Sequence, residues 1–280
     1  MTQPHRRSLD VHATPVVRRR WPIETLWAQL EPLCPGLAIE VLAETDSSNT
    51  RLLERARAGD SSPCLLVAER QSGGRGRLGR PWFSDGEASL TFSLGLELAP
   101  VDWSGLSLAT GVALAEALHP SVRLKWPNDL WLPDVYGAGR KLGGVLIETL
   151  PLPRAHADER RRYAVVGVGL NLAMPTPRDG LTQPTAGWRE LEPQSHAPDL
   201  LARLAPALVY ALGRFEREGF GAFAQRFAVR DALRGRLLHT SDAAAPSGVA
   251  DGVDAHGALR LQTDAGLRLI SSAEVSVRPC

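Results

Sequence analysis

Apolar and polar positions follow two different periods along this chain, and the changes of period mark its elements. Over residues 23–33, Ile23, Leu26, Trp27 and Leu30 recur at helical spacing, and Pro32 and Pro35 end the run. Residues 37–42 are a short apolar run that predicts a strand. Asp46, Ser47, Ser48 and Asn49 then supply capping oxygens for a helix carrying Leu52, Leu53 and Ala56, closed by Gly59. Strands are predicted at 64–68 and 89–96, a Leu/Ala-rich helix at 106–118, and further strands at 122–125, 130–132, 142–149 and 163–171. Residues 151–162 are too charged to bury and read as a surface loop, while 176–198 are Pro-, Gly- and Thr-rich and irregular. A long amphipathic helix follows over 200–217, with Leu201, Leu204, Leu208 and Leu212 on one face.

Near residue 230 the period shortens to two. Short strands at 236–240, 248–253, 258–263, 267–270 and 275–278, separated by turn residues, predict a small five-stranded barrel. The expected organisation is a tail and short helix over 1–36, an α+β body over 37–229 and a β domain over 230–280. With 44% hydrophobic and 22% charged residues the chain has ample material for a packed core. Its formal net charge of +1 gives no global pull toward nucleic acid or anionic membrane, so anion binding must rest on a local basic cluster. Cys34, Cys64 and Cys280 show neither zinc spacing nor a disulfide framework, which fits a reducing cytoplasm. No apolar stretch reaches the ~18 residues that span a bilayer. The leader with Arg6, Arg7, Arg18, Arg19 and Arg20 lacks the apolar segment of a signal peptide and reads as a flexible tail.

The densest chemical signal is Gly73-Gly74-Arg75-Gly76-Arg77-Leu78-Gly79-Arg80-Pro81-Trp82. Four glycines let the backbone curl round a ligand, and three arginines supply planar donor forks suited to phosphate or carboxylate. Gly74, Gly76 and Gly79 satisfy GxGxxG, but the residues that follow have no helical periodicity, so a dinucleotide turn is not expected. No Walker A sequence is present.

Lys125 ends an apolar strand in Leu124-Lys125-Trp126-Pro127-Asn128-Asp129. Alternation should send Lys125 and Trp126 to opposite faces, and a fixed, desolvated ammonium there suits a developing negative charge. Taken alone, the segment reads equally as a strand-end lysine beside a turn closed by Asn128 and Asp129. In Arg140-Lys141-Leu142-Gly143-Gly144, basic residues precede paired glycines that admit a flat ligand or mark a bulge. Gly167-Val168-Gly169-Leu170-Asn171 also permits close approach. Histidines have no metal-ligand spacing and no nucleophile elbow occurs. The combination is rich in Arg and Lys and poor in acid–base groups. It suits a site that stabilises anions and positions reactants, as in phosphoryl or nucleotidyl transfer.

These four segments, in this order, resemble the biotin–protein ligase family. The Gly-Arg loop with Trp82 looks like that family's biotin and adenylate loop, Lys125-Trp126-Pro127-Asn128-Asp129 like its lysine motif, and the two glycine-bearing segments like its later strands. Ser47-Ser48-Asn49 resembles its Ser-Thr-Asn element, with serine in second place. Asp251-Gly252-Val253-Asp254, Gly257-Ala258-Leu259 and Glu274-Val275-Ser276-Val277-Arg278 are similar to its C-terminal SH3-like domain. The resemblance implies an α+β fold with a mixed central sheet and flanking helices, of the class II aminoacyl-tRNA synthetase/biotin ligase type, plus a small SH3-like barrel.

The implied reaction joins biotin to ATP as biotinyl-adenylate, then passes biotin to a lysine of a biotin carboxyl carrier protein. By resemblance Lys125, Arg75 and Arg77 are catalytic. Ser47, Ser48, Asn49, Gln71, Gly74, Arg75, Arg77, Trp82, Lys125, Gly143 and Gly144 bind biotin. Arg77, Arg80, Trp82, Lys125, Asn128, Lys141 and Asn171 bind ATP or the adenylate. Magnesium is expected to arrive with ATP and not on a protein-only site. Leu78 stands where some relatives carry another arginine. Too few residues precede the first catalytic strand for the DNA-binding module of some relatives, so no nucleic-acid or membrane partner is expected; relatives often form homodimers. Two other readings remain at this stage: a lipoate or octanoate ligase or transferase sharing the fold, and a biotin-sensing regulator without catalysis.

Overall fold

The computed structural model describes residues 20–84, 86–152, 160–175, 183–271 and 277–279. The basic tail up to residue 19, most of the charged loop at 151–162, the start of the irregular stretch at 176–198, the opening of the last predicted strand and Cys280 lie outside the described residues.

A helix, α1 (Ile23–Leu30), leads into a sheet built from β1 (Ala38–Thr45), β2 (Cys64–Gln71), β3 (Ser89–Leu98), β4 (Arg123–Lys125), β5 (Asp129–Pro133), β6 (Gly139–Pro151) and β7 (Arg162–Asn171). Its order is β1-β2-β3-β7-β6-β5-β4. Only β1 and β2 run parallel, because α2 (Ser48–Arg57) crosses between them. Ser47 caps α2 by accepting from the Thr50 amide at 3.4 Å. Three more helices, α3 (Leu106–Leu118), α4 (Ala197–Glu218) and α5 (Gly221–Arg230), precede five strands: β8 (Leu237–Thr240), β9 (Ser247–Val253), β10 (Leu259–Thr263), β11 (Gly266–Ile270) and β12 (Val277–Pro279). These last form an antiparallel sheet of order β11-β10-β9-β8-β12.

The two faces of the large sheet are unlike. On one, Leu65, Val67, Leu90, Phe92, Leu94, Val166 and Val168 pack into the main core with the leucines of α3 and α4. Each fully buried leucine there is worth roughly 1.5–3 kcal/mol. On the other face, Cys64, Leu66, Tyr163 and Val165 meet Leu52, Leu53 and Ala56 of α2. Along β7 that face then loses its side chains, passing from Tyr163 and Val165 to Gly167 and Gly169. β3 presents Ser89, Thr91 and Ser93 there, all buried. This is where space for a ligand opens.

Two helices depart from the pattern-based expectation. α4 begins at Ala197, three residues early, because Pro198 in the first turn needs no backbone donor. α5 was not expected: the pattern assigned no element between residues 217 and 230, yet Phe223 and Phe227, one turn apart, are both buried. The C-terminal sheet docks on the body at defined points. The Ala232 amide donates to the Leu124 carbonyl at 2.9 Å, and the Trp126 indole donates to the Gly257 carbonyl at 3.0 Å. His256 Nδ1 lies 2.8 Å from Asp102 Oδ2. Gly257 has φ +81°, and a Cβ on it would stand 2.9 Å from the Gly105 Cα.

Candidate active site

Cross-strand register places five residues in one row across the sheet: Thr91, Gly169, Gly144, Asp129 and Lys125, from β3, β7, β6, β5 and β4 in turn. The two glycines make a side-chain-free floor between a hydroxyl and an ion pair. A register shift between Leu130 and Trp131 pairs Lys141 with Trp131 while Gly144 stays opposite Asp129. That bulge brings Lys141 and Gly144, three apart, to the same face, and Lys141 Nζ reaches Asp129 Oδ1 at 2.7 Å. Lys125 Nζ is 3.7 Å from Asp129 Oδ2 and 5.4 Å from the centre of the Trp131 ring. Trp126 points the other way, into the core, as strand alternation requires.

Burial dominates the electrostatics. It pushes the Lys125 ammonium below the ordinary lysine range, partly offset by Asp129 and reinforced by Lys141 and Arg80. For Asp129, burial alone would raise the carboxyl, but Lys141 and Lys125 outweigh it and hold it below its usual value. Arg77 is likewise pushed down by burial, against the pull of Asp129. It nonetheless stays charged, as guanidinium does. The whole chain contains only two lysines against thirty arginines, and both lysines converge on Asp129.

The Gly-Arg loop folds over this floor. Trp82 donates its amide to the Gly74 carbonyl and Gly76 donates to Arg80, pinching the loop shut at its base. A Cβ on Gly74 would stand 2.4 Å from the Trp82 carbonyl, so only glycine fits. Leu78 at the tip takes a left-handed φ of 57°. The Trp82 indole lies against Gly169, where a Cβ would be 2.4 Å from the ring, and donates to Thr91 Oγ1 at 3.3 Å. Arg75 donates to Thr50 Oγ1 at 2.7 Å and lies 3.9 Å from Glu148.

At the far end, Ser48 donates to Gln71 Oε1 from its amide (2.7 Å) and its hydroxyl (2.9 Å). Ser93 Oγ lies 2.6 Å from Asn49 Oδ1 and 2.7 Å from Ser48 Oγ. Asn49 donates through Nδ2 to Glu148 at 2.9 Å and to the Leu146 carbonyl at 3.2 Å.

Most of the sequence-derived site residues therefore meet in one cavity: Ser47, Ser48, Asn49, Gln71, Arg75, Arg77, Arg80, Trp82, Lys125, Asn128, Lys141 and Gly144. Three do not line it. Gly74 shapes the loop base. Gly143 turns away, with the Gly169 carbonyl against it. Asn171 is buried and donates to the Lys141 and Ala186 carbonyls, holding the segment around Ala186 against β6. Asn128 lines the wall, but its Nδ2 is committed to the Val145 carbonyl at 2.7 Å. Sequence reasoning missed Asp129 as a charge partner, Thr91, Ser93 and Glu148. Two signals were available: the hydroxyl side chains Ser89, Thr91 and Ser93 alternating with the apolar residues of one buried strand, and the scarcity of lysine. It also missed Val277 of β12, which reaches the cavity. A neighbouring cavity is lined by Arg80 and Lys125 together with Arg236, Arg278 and Val277 from the C-terminal sheet.

Comparison with known proteins assigns relatives to both parts of the chain. Residues 41–171 match the biotin/lipoate A/B protein ligase family, and residues 240–278 match the biotin protein ligase C-terminal domain. The bifunctional ligase/repressor BirA of Escherichia coli is 35% identical over 272 residues, covering 92% of this chain and 79% of that protein. The biotin–acetyl-CoA-carboxylase ligase of Paracoccus denitrificans is 31% identical over 247 residues, covering 84% and 98%. The structure of biotin protein ligase from Aquifex aeolicus in complex with biotin and ATP superposes with a TM-score of 0.70 at 27% identity, covering 88% of this chain and all of that one. Both matched regions, the identities over most of the chain and the fold thus agree, and the chain belongs to the biotin–protein ligase family.

Proposed function

We propose that this cavity joins biotin to ATP as biotinyl-adenylate and then transfers the biotinyl group to a lysine of a biotin carboxyl carrier protein. The observation that carries the reading is the charge balance of the floor: Lys125, Lys141, Arg77 and Arg80 surround one carboxylate, Asp129. A surplus of fixed cations is what bringing a carboxylate up to a phosphate requires.

In the first step a biotin carboxylate oxygen bonds to the α-phosphorus, and the bond to the leaving pyrophosphate breaks. Lys125 faces the reacting oxygens with an ammonium not hydrogen-bonded to Asp129. Arg77 adds a second buried cation, and the loop covers the adenylate with Trp82. The polyphosphate end fits the neighbouring cavity, where Arg80, Arg236 and Arg278 converge. In the second step the carrier's neutral lysine amine attacks the acyl carbon, the bond to AMP breaks, and the nitrogen loses a proton. Biotin's ureido end meets Ser48 and Gln71.

Magnesium is expected to ride on ATP. Among the described residues no three His, Cys, Asp or Glu side chains gather as a metal site, and Asp129 is already held by two lysines. Its ligands would be phosphate oxygens and water.

The test is the intact mass of a carrier domain incubated with the protein, biotin and Mg-ATP. One biotinyl addition, absent without ATP and lost with Lys125→Ala, is expected. An unmodified carrier from the same organism, with biotin bound to the folded protein, would instead favour a sensor. Turnover of lipoate or octanoate in preference to biotin would point to the lipoyl branch.

A further inference from the structure

Arg75 and Arg77 stand two apart in the Gly-Arg loop and send their head groups to different places. Arg77 reaches inward to the floor, where it feels the charge of Asp129. The Arg75 guanidinium, half exposed, turns instead to the lip of the cavity. Its Nη2 donates to Thr50 Oγ1 at 2.7 Å and lies 3.9 Å from Glu148 Oε1. Thr50 belongs to α2 and Glu148 to β6, and neither lines the cavity. Both partners are themselves fixed. Ser47 Oγ holds the Thr50 amide in the first turn of α2 at 3.4 Å. Asn49 Nδ2 donates to the other Glu148 oxygen at 2.9 Å, which leaves Oε1 for the guanidinium.

We infer that Arg75 is a clasp that holds the Gly-Arg loop closed over the bound adenylate, with Thr50 and Glu148 as the positioning residues that receive it. The inference rests on the proposed ligase site and assigns these two residues to retention of the intermediate. Backbone bonds from Trp82 to Gly74 and from Gly76 to Arg80 shape the loop from within. Gly73 donates to the Asp46 carbonyl where the loop begins, and the Trp82 indole to Thr91 where it ends. Between these ends Arg75 ties the loop to a helix and a strand at once. A planar guanidinium fixes direction as well as distance, so the tie sets how the loop lies. Retention matters because the second step waits for a macromolecule, and a mixed anhydride that escapes is lost to water.

The experiment loads the full chain with radiolabelled biotin and Mg-ATP, removes free ligand, and follows release of biotinyl-adenylate. Pyrophosphate formation is measured in parallel by quenched flow. Thr50→Val keeps the side chain's shape but removes the acceptor, and should speed release about tenfold, the larger change falling there and not on formation. Thr50→Ser restores the hydroxyl and should restore retention. Glu148→Gln keeps an oxygen for Asn49 but turns a donor toward Arg75, and should also speed release. Arg75→Ala should release at least as fast, and adding Thr50→Val to it should change nothing further, because both remove one contact. Full, independent effects in that double variant would overturn the clasp, as would an Arg75→Ala loss confined to pyrophosphate formation. Trypsin gives a readout that needs no turnover: cleavage after Arg77 should rise several-fold in Thr50→Val and Glu148→Gln. Wild-type cleavage and retention in both would overturn the clasp while leaving the ligase reading standing. No adenylate from the wild-type protein would sink the ligase reading, and the cleavage rates would still decide whether Arg75 ties the loop.

Discussion

Lys125 and Asp129 face each other across the β4–β5 pair with Nζ and Oδ2 3.7 Å apart, beyond hydrogen-bond reach, because the other Asp129 oxygen is drawn to Lys141 at 2.7 Å. Lys141 neutralises the carboxylate and Lys125 keeps its donors for a ligand. Lys125→Ala should therefore slow biotin-dependent pyrophosphate release by about 10²–10³, the usual scale for losing one preorganised donor. Lys125→Arg should not restore it, since a planar fork cannot replace a point charge at this strand end. A Lys125→Ala rate within a few-fold of wild type would rule out this role. Asp129→Asn leaves two ammonium groups without their counter-charge and should cost about 3 kcal/mol of stability in denaturant titration.

The pH dependence has a definite sign. Burial lowers the Lys125 pKa, so between its folded value and the ordinary ~10.4 the unfolded chain binds more protons. In that window this group makes the fold more stable as pH rises, while the ammonium that the reaction uses is lost. Adenylate formation should therefore show an alkaline limb below the ordinary lysine range, where global unfolding does not yet occur. Asp129 acts at the other extreme: its depressed pKa contributes stability present above the unfolded carboxyl value and lost as pH falls through the folded one. Because the chain has two lysines, lysine-selective ¹³C labelling gives two side-chain signals, assignable with Lys141→Arg. If the Lys125 signal titrates at or above the ordinary lysine value in the free protein, the burial argument fails.

The same scarcity bears on side reactions. Biotinyl-adenylate is a mixed anhydride that acylates lysine amines, yet this chain exposes almost none: Lys125 is buried and Lys141 is ion-paired. With biotin and Mg-ATP but no carrier, the protein should retain adenylate without gaining a biotinyl group on lysine. Peptide mapping after prolonged incubation decides it, and an adduct on Lys125 or Lys141 would contradict the geometry.

Much of this was legible in the residues, for reasons the structure makes physical. The Gly-Arg loop and the lysine motif stood out because their composition serves a ligand and not a core. Gly169 and Gly144 could be suspected of close approach, but their shared row with Thr91, Asp129 and Lys125 depends on cross-strand register. Local periodicity does not carry register. Lys141 reaches the site through a bulge, which shifts side-chain parity in a way no simple alternation reveals. Ser93 lay in plain view between leucines and a phenylalanine. Its neighbours Ser48 and Asn49 come from a helix forty-odd residues away, so only the fold identifies its role. α5 escaped because its helical face amounts to two phenylalanines beside glycine.

The body and the C-terminal sheet are joined one residue from Lys125. Trp126 follows Lys125 directly, and its indole donates to the Gly257 carbonyl in the β9–β10 turn at 3.0 Å, wholly buried. Trp126→Phe keeps most of the ring but leaves that carbonyl without its donor, at a cost of about 1–3 kcal/mol. Gly257→Ala is worse placed: φ is +81° and a Cβ would press on the Gly105 Cα at 2.9 Å and the Leu108 side chain at 3.0 Å. Both changes lie off the cavity floor, yet both act one residue from Lys125 or on the turn that braces it. They should lower the melting temperature, Gly257→Ala more than Trp126→Phe, and raise hydrogen exchange at the Ala232 amide, which bonds to the Leu124 carbonyl. Because Arg236, Val277 and Arg278 ride on the same sheet, KM for ATP should rise more than KM for biotin. Equal effects on both substrates, or none on either, would mean that the C-terminal sheet does not brace the nucleotide end.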